Sequence, residues 1–113
     1  MDNSSAIGVL AALAQESRLA VFRLLVQTGP DGMAASKIAD ALAIAPSSLS
    51  FHLKELTHAG LLVQRQDGRF LIYAANFATM NALLGFLTEN CCGGAPCSPT
   101  LGCTPARPSS RLT

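Results

Sequence analysis

Two β-prone runs, residues 61–66 and 69–74, are joined by Asp67-Gly68, and they follow directly on an amphipathic helical segment. Asp-Gly between such runs is a strong local hairpin signal. In the segment before it, 46–59, Leu49, Leu53 and Leu56 recur at three- and four-residue spacing and line one helical face. Pro46 sits where a helix can start, Ser47 or Ser48 can serve its first turn, and Gly60 follows as a C-terminal stop.

Upstream, Ser4 or Ser5 can cap a first helix with Ile7, Leu10 and Leu13 among its apolar positions. A second helix is expected over 16–27, with Leu19, Phe22, Leu25 and Val26 as its apolar set, ended by the turn Gly29-Pro30-Asp31-Gly32. Residues 35–42 form a short helix with Ile38 and Leu42 facing inward, and Ala43-Ile44-Ala45 is the turn after it. A last helix is expected over 77–90. The order helix, helix, turn, helix, hairpin describes a mainly α fold with a small β-hairpin, a winged helix-turn-helix whose hairpin is the wing. The expected division is 1–90 for DNA binding and dimerisation, and 91–113 for a Cys-rich sensor segment with a flexible tail.

A chain of 113 residues holds one small domain and a tail. Half of its residues are hydrophobic but only 5% are aromatic, which favours close-packed helices over a sandwich. Dimerisation would supplement so small a core. No apolar run approaches the ~18 residues of a membrane span, so no membrane partner is expected. Met1-Asp2-Asn3-Ser4-Ser5 lacks the basic start of a signal peptide, so a cytoplasmic location is expected. The net charge of +1 means that any DNA contact rests on local charge.

Local charge and polarity are found opposite the leucine face of 46–59. Ser47, Ser50, Phe51, Lys54 and His58 project there, the side that enters the major groove in a helix-turn-helix. Ser47, Ser48 and Ser50 can donate to phosphates or base edges, and Lys54 can neutralise a phosphate. Phe51 fits either contact with a thymine methyl or packing beside the wing. His52 points nearer the core and reads as a buried hydrogen-bonding group. Arg65 and Arg69 flank the hairpin turn, where they reach phosphates or the minor groove, or simply decorate a charged hairpin.

One such domain offers few contacts, so a homodimer on two-fold double-stranded operator DNA is expected. Phe77, Met80, Leu84, Leu87 and then Cys91 form a narrow apolar stripe for a twin or for the partner's first helix, which brings Ile7 and Leu10 to the interface. Packing within the monomer is the plainer reading of the same stripe.

All four cysteines fall in one stretch: Cys91, Cys92, Cys97 and Cys103. In a reducing compartment such a cluster indicates metal or redox chemistry, and its thiols suit a soft ion. Neighbouring side chains diverge by ~100° on a helix, so the helix must end or fray for Cys91 and Cys92 to act together. Cys97 is the nearer third thiol. Cys103 is an alternative, because closing the longer loop costs little more.

The stretch Ser47-Ser48-Leu49-Ser50-Phe51-His52-Leu53-Lys54, with Ala59-Gly60-Leu61-Leu62 after it and the wing Gln64-Arg65-Gln66-Asp67-Gly68-Arg69-Phe70-Leu71-Ile72-Tyr73, resembles the ArsR/SmtB family of metalloregulatory repressors over residues 6–90. The resemblance implies a non-enzymatic homodimer that represses an operon until a metal or metalloid releases it, with no organic cofactor. The family's Cys-Val-Cys-like arsenic site has no counterpart in Met33-Ala34-Ala35-Ser36-Lys37-Ile38, and the Asp and His ligands of its zinc site are missing from 77–86. The tail resembles that of arsenic-responsive members with an adjacent Cys pair and a third Cys beyond the last helix. Trivalent arsenic, as arsenite, is then the inducer, with antimonite as an alternative, held by Cys91, Cys92 and Cys97 or Cys103. A trivalent methylarsenical, cadmium or thiol oxidation are the rival signals; a reductase would need an oxyanion loop that the chain lacks.

Overall fold

The computed structural model describes residues 1–94. Five helices and three strands follow in the order α1 (Asn3–Leu13), α2 (Glu16–Thr28), β1 (Met33–Ala34), α3 (Ala35–Leu42), α4 (Pro46–His58), β2 (Leu62–Asp67), β3 (Phe70–Ala75) and α5 (Phe77–Leu87), with a short 3-10 turn at Cys91–Gly94. This is the expected winged helix-turn-helix. Its core is helical: Leu25, Ile38, Leu49, Leu53, Leu56 and Leu61 are fully buried, and Val21 and Phe22 join them from α2.

The ends of α3 and α4 set the helix-turn-helix angle. Each closes with a backbone bond spanning five residues, Ile44 N–H to the Ala39 carbonyl at 3.1 Å and Leu61 N–H to the Leu56 carbonyl at 3.0 Å. Such a closure needs a left-handed residue at the helix exit. After α4 it is Gly60, at φ 84°, as its position in the sequence suggests. After α3 it is Ala43, at φ 54°, a conformation that costs a residue bearing a Cβ about 1–2 kcal/mol. Burial of Ile38 and partial burial of Leu42 and Ile44 hold that turn in place.

The sheet order is β1-β3-β2, all antiparallel. The two-residue β1 was not expected; it pairs Met33 with Tyr73 and Ala34 with Ile72, and so ties the wing to the start of α3. Gly32 makes that approach possible. A Cβ there would lie 2.4 Å from the Tyr73 carbonyl oxygen, and its φ is +74°.

Several boundaries move. The first helix is capped by Asp2, whose Oδ1 accepts the Ser5 N–H at 2.8 Å, so Ser4 and Ser5 lie inside the helix they were expected to cap. Neither serine at the start of α4 caps it through its side chain; the N-cap is Ala45, with Pro46 in the first turn. The strands start one residue later than expected. Asp67 pairs with Phe70, leaving Gly68 (φ 64°) and Arg69 as the two-residue loop. Leu61 therefore belongs to the core rather than to a strand.

The last helix ends at Leu87, not at residue 90. Thr88 stops it, donating its hydroxyl to the Leu84 carbonyl at 2.8 Å. Leu19, expected among the inward positions of α2, is exposed.

Candidate nucleic-acid interface and thiol segment

Leu49, Leu53 and Leu56 anchor α4 in the core, and that single fact orients the rest of the helix. Ser47, Ser48, Ser50, Phe51 and Lys54 are all exposed. Ser48 stands about 200° around the helix from Ser50. Its claim on a ligand therefore comes from its place in the first turn rather than from the face it occupies.

Phe51 is 55% exposed, and its ring meets the edge of His52 at 5.8 Å rather than the wing. Of its two expected roles, the structure leaves it available for an outside partner. His52 is half-buried as expected, but its Nδ1 is buried without a hydrogen-bond partner among the described residues.

In the wing, Arg69 is exposed at the tip. Arg65 is exposed as well, yet its Nη2 donates to the Asp31 carbonyl at 2.9 Å. It thereby links β2 to the turn before β1, and its remaining N–H groups are left for other acceptors.

Register decides what the wing shows to α4. Gln64 and Tyr73 are directly paired, so their side chains share one sheet face. With Ser50, Lys54, Thr57 and His58 of α4 they line a cleft of about 470 Å³ between helix and wing. Burial raises the Tyr73 phenol above its ordinary pKa. Gln64, Tyr73 and Thr57 are absent from the sequence-based candidates. Their signal is available only through the pairing of Gln64 with Tyr73 across the hairpin. His58 also lines a larger cavity of about 640 Å³ behind α4, with Arg18 and Glu55.

The expected interface stripe divides. Phe77 and Met80 are half-buried and pack against the core, so the plainer reading holds for them. Leu84 is half-buried and Leu87 is 55% exposed. On α1, Ile7 is 66% and Leu10 42% exposed, while Ala6 and Val9 supply the packing. Cys91 does not extend the stripe, because α5 has already ended; its N–H bonds to the Thr88 carbonyl at 3.0 Å within the following turn.

That turn is left-handed at Asn90 (φ 58°), Cys92 (φ 55°) and Gly93 (φ 68°). Cys91 is half-buried, and Cys92 is exposed. Cys97 and Cys103 lie outside the described residues. Among the described residues no three His, Cys, Asp or Glu side chains form a group that could hold a metal ion. No described helix is long and apolar enough to cross a membrane.

Residues 13–65 match a family model described as a helix-turn-helix domain. A Halobacterium salinarum protein named as an arsenical resistance operon repressor, ArsR, is 36% identical over 67 residues, which are 59% of this chain and 51% of that protein. The chain thus aligns with about half the length of that relative. YceK, an uncharacterized HTH-type transcriptional regulator of Bacillus subtilis, is 32% identical over 80 residues, 70% of this chain and 79% of that one.

Among solved structures, an ArsR-like transcriptional regulator from Rhodococcus sp. RHA1 superposes with a TM-score of 0.65 at 28% identity, covering 74% of this chain and 76% of that one. A homodimeric winged helix-turn-helix DNA-binding domain from Mycobacterium bovis gives 0.61 at 28% identity, with 77% and 81% covered. NolR and HlyU proteins are also structural neighbours. The chain belongs to the ArsR family of winged helix-turn-helix transcriptional regulators. These relatives are DNA-binding regulators, not enzymes.

Proposed function

We propose that the chain is a homodimeric repressor that binds a two-fold operator through α4 and the wing and leaves it when trivalent arsenic binds the C-terminal cysteines. The observation that carries this reading is the position of Cys91 and Cys92 beyond the end of the last helix, in a short turn where Cys92 and Gly93 leave helical geometry. Support for the dimer comes from Leu84, Leu87, Ile7 and Leu10, which α5 and α1 leave uncovered or only half covered, and from the homodimeric neighbour. Support for arsenic comes from the arsenical-resistance relative.

Arsenite is As(OH)3 at neutral pH. Exchange with three thiols gives As(SR)3 and three waters, so neither oxidant nor base is consumed. The lone pair on arsenic makes the product a three-coordinate pyramid. Cys91, Cys92 and Cys97 would supply its sulfurs, with Cys103 as the alternative third. Zinc, in contrast, favours four ligands. Binding requires Cys92 reduced.

Release of DNA would follow if caging the thiols reorganised the turn that Thr88 and Cys91 build onto α5, and with it the spacing of the two recognition helices, which must match about one turn of DNA. A coupling of ~1–3 kcal/mol is usual for such regulators, and operator DNA must then weaken arsenite binding by the same factor.

A second reading is a thiol-redox switch at the clustered cysteines: a structural neighbour, HlyU, is known in a form described as reduced. Operator anisotropy with reduced protein separates the two. Arsenite-driven release, lost in three of the four single Cys91, Cys92, Cys97 and Cys103→Ser variants, is expected. Release by peroxide with no response to arsenite overturns the arsenic reading. Response to a methylarsenical alone, unaffected by Cys97→Ser and Cys103→Ser, would point to a site made of Cys91 and Cys92 only.

A further inference from the structure

The cleft between α4 and the wing is lined by Ser50, Lys54, Thr57, His58, Gln64 and Tyr73, and no carboxylate lines it. Each of these side chains can donate a hydrogen bond, and Lys54 carries a full positive charge. The donors come from both walls. Ser50, Lys54 and Thr57 recur at four and three residues along one face of α4, and Gln64 and Tyr73 form a cross-strand pair on the face of the hairpin that meets it. A concave site with hydrogen-bond donors on both sides and one fixed cation suits a single tetrahedral oxyanion. Its position, between the recognition helix and the wing, is where a duplex backbone passes when the helix occupies the major groove.

We propose that this cleft seats one phosphate of the DNA backbone, with Lys54 as the counter-charge and Tyr73 and Gln64 as the donors from the wing. The assignment rests on the DNA-binding reading above and deepens it: the clamp fixes how far α4 enters the groove and carries no base preference. Arg65 is a positioning residue here. Its bond to the Asp31 carbonyl holds β2, and therefore Gln64, at its distance from the helix.

A sequence-independent contact can be tested before the operator is known. The probe is a fluorescein-labelled 30-base-pair duplex of arbitrary sequence, titrated with the full-length reduced protein at several salt concentrations. Tyr73→Phe keeps the ring that packs against the core and removes only the hydroxyl. Gln64→Ala alters an exposed side chain. Each is expected to weaken binding by about tenfold or more, the usual loss for a hydrogen bond to a charged group, with the salt dependence unchanged. Lys54→Gln is expected to lower the slope of log K against log salt by about one per chain bound.

Circular dichroism and melting temperature report whether the variants fold. If wild type binds the duplex while folded Tyr73→Phe and Gln64→Ala bind equally well, the clamp is wrong and the DNA-binding reading stands. If wild type binds no duplex even at low salt, both fall. Competition by millimolar inorganic phosphate that is lost in Tyr73→Phe would support the site further, and competition retained in that variant would count against it.

Discussion

Helix α4 and helix α5 are of similar length, and they use their apolar residues in opposite ways. α4 has thirteen residues, and its three leucines, Leu49, Leu53 and Leu56, are all buried within the monomer. α5 has eleven residues and is richer in apolar side chains, yet only Leu83 is buried. Strict amphipathicity gives α4 one possible orientation, with its polar face outward. α5 is apolar on more sides than one neighbour can cover, a pattern that belongs to a helix with a second neighbour. The α4 side is therefore complete in one chain, whereas the α1–α5 side has apolar surface left over.

The contrast can be broken most forcefully at Leu53. Leu53→Ala should cost about 2–5 kcal/mol of folding stability, the range for a fully buried leucine. Urea unfolding of the variant would measure it. A loss under about 1 kcal/mol would mean that α4 is not the fixed element described here.

On the other helix, the double change Leu84→Ser, Leu87→Ser should lower the stability of an isolated monomer by no more than about 1 kcal/mol, since neither side chain is fully buried. Its effect should fall on association: sedimentation velocity at micromolar protein should show monomer where wild type sediments as dimer. An unchanged dimer would place the interface elsewhere.

The smallest effect is expected at the N-terminus of α1. The Ser5 N–H holds the Asp2 carboxyl below its usual pKa, with the Ser5 side chain adding to this. A lowered folded-state pKa means that the cap contributes above the unfolded carboxylate pKa and is lost as pH falls through the folded value. Melting temperatures of wild type and Asp2→Ala should therefore differ slightly at neutral pH and converge in acid. A gap that widened in acid would contradict the cap. Because α1 carries Ile7 and Leu10, the same variant sharpens the comparison by showing whether fraying α1 weakens the dimer.

Much of the fold was legible in the chain because its signals are local. The leucine spacing of α4, Pro46 at its start, Gly60 at its end and the Asp67-Gly68 turn each act within a few residues of where they stand. The errors are equally physical. Ser4 and Ser5 are good caps, but Asp2 accepts the Ser5 N–H and so starts the helix upstream of them. Ala43 has no local reason to be left-handed and adopts that conformation because Ile38, Leu42 and Ile44 are buried around it.

The exposed residues of α4 followed from its period, since burying one face displays the other. The cleft did not, because Gln64 and Tyr73 are nine residues apart and meet only through pairing across the hairpin.

The sequence by itself determined the order of the elements, the buried face of α4 and the gathering of all four cysteines beyond the last helix, since each is written in neighbouring residues. Only the tertiary structure decided which half of the α5 apolar stripe the core takes, and which wing residues stand opposite Lys54. Those depend on contacts between segments far apart in the chain, and their free energy appears only once the segments have met.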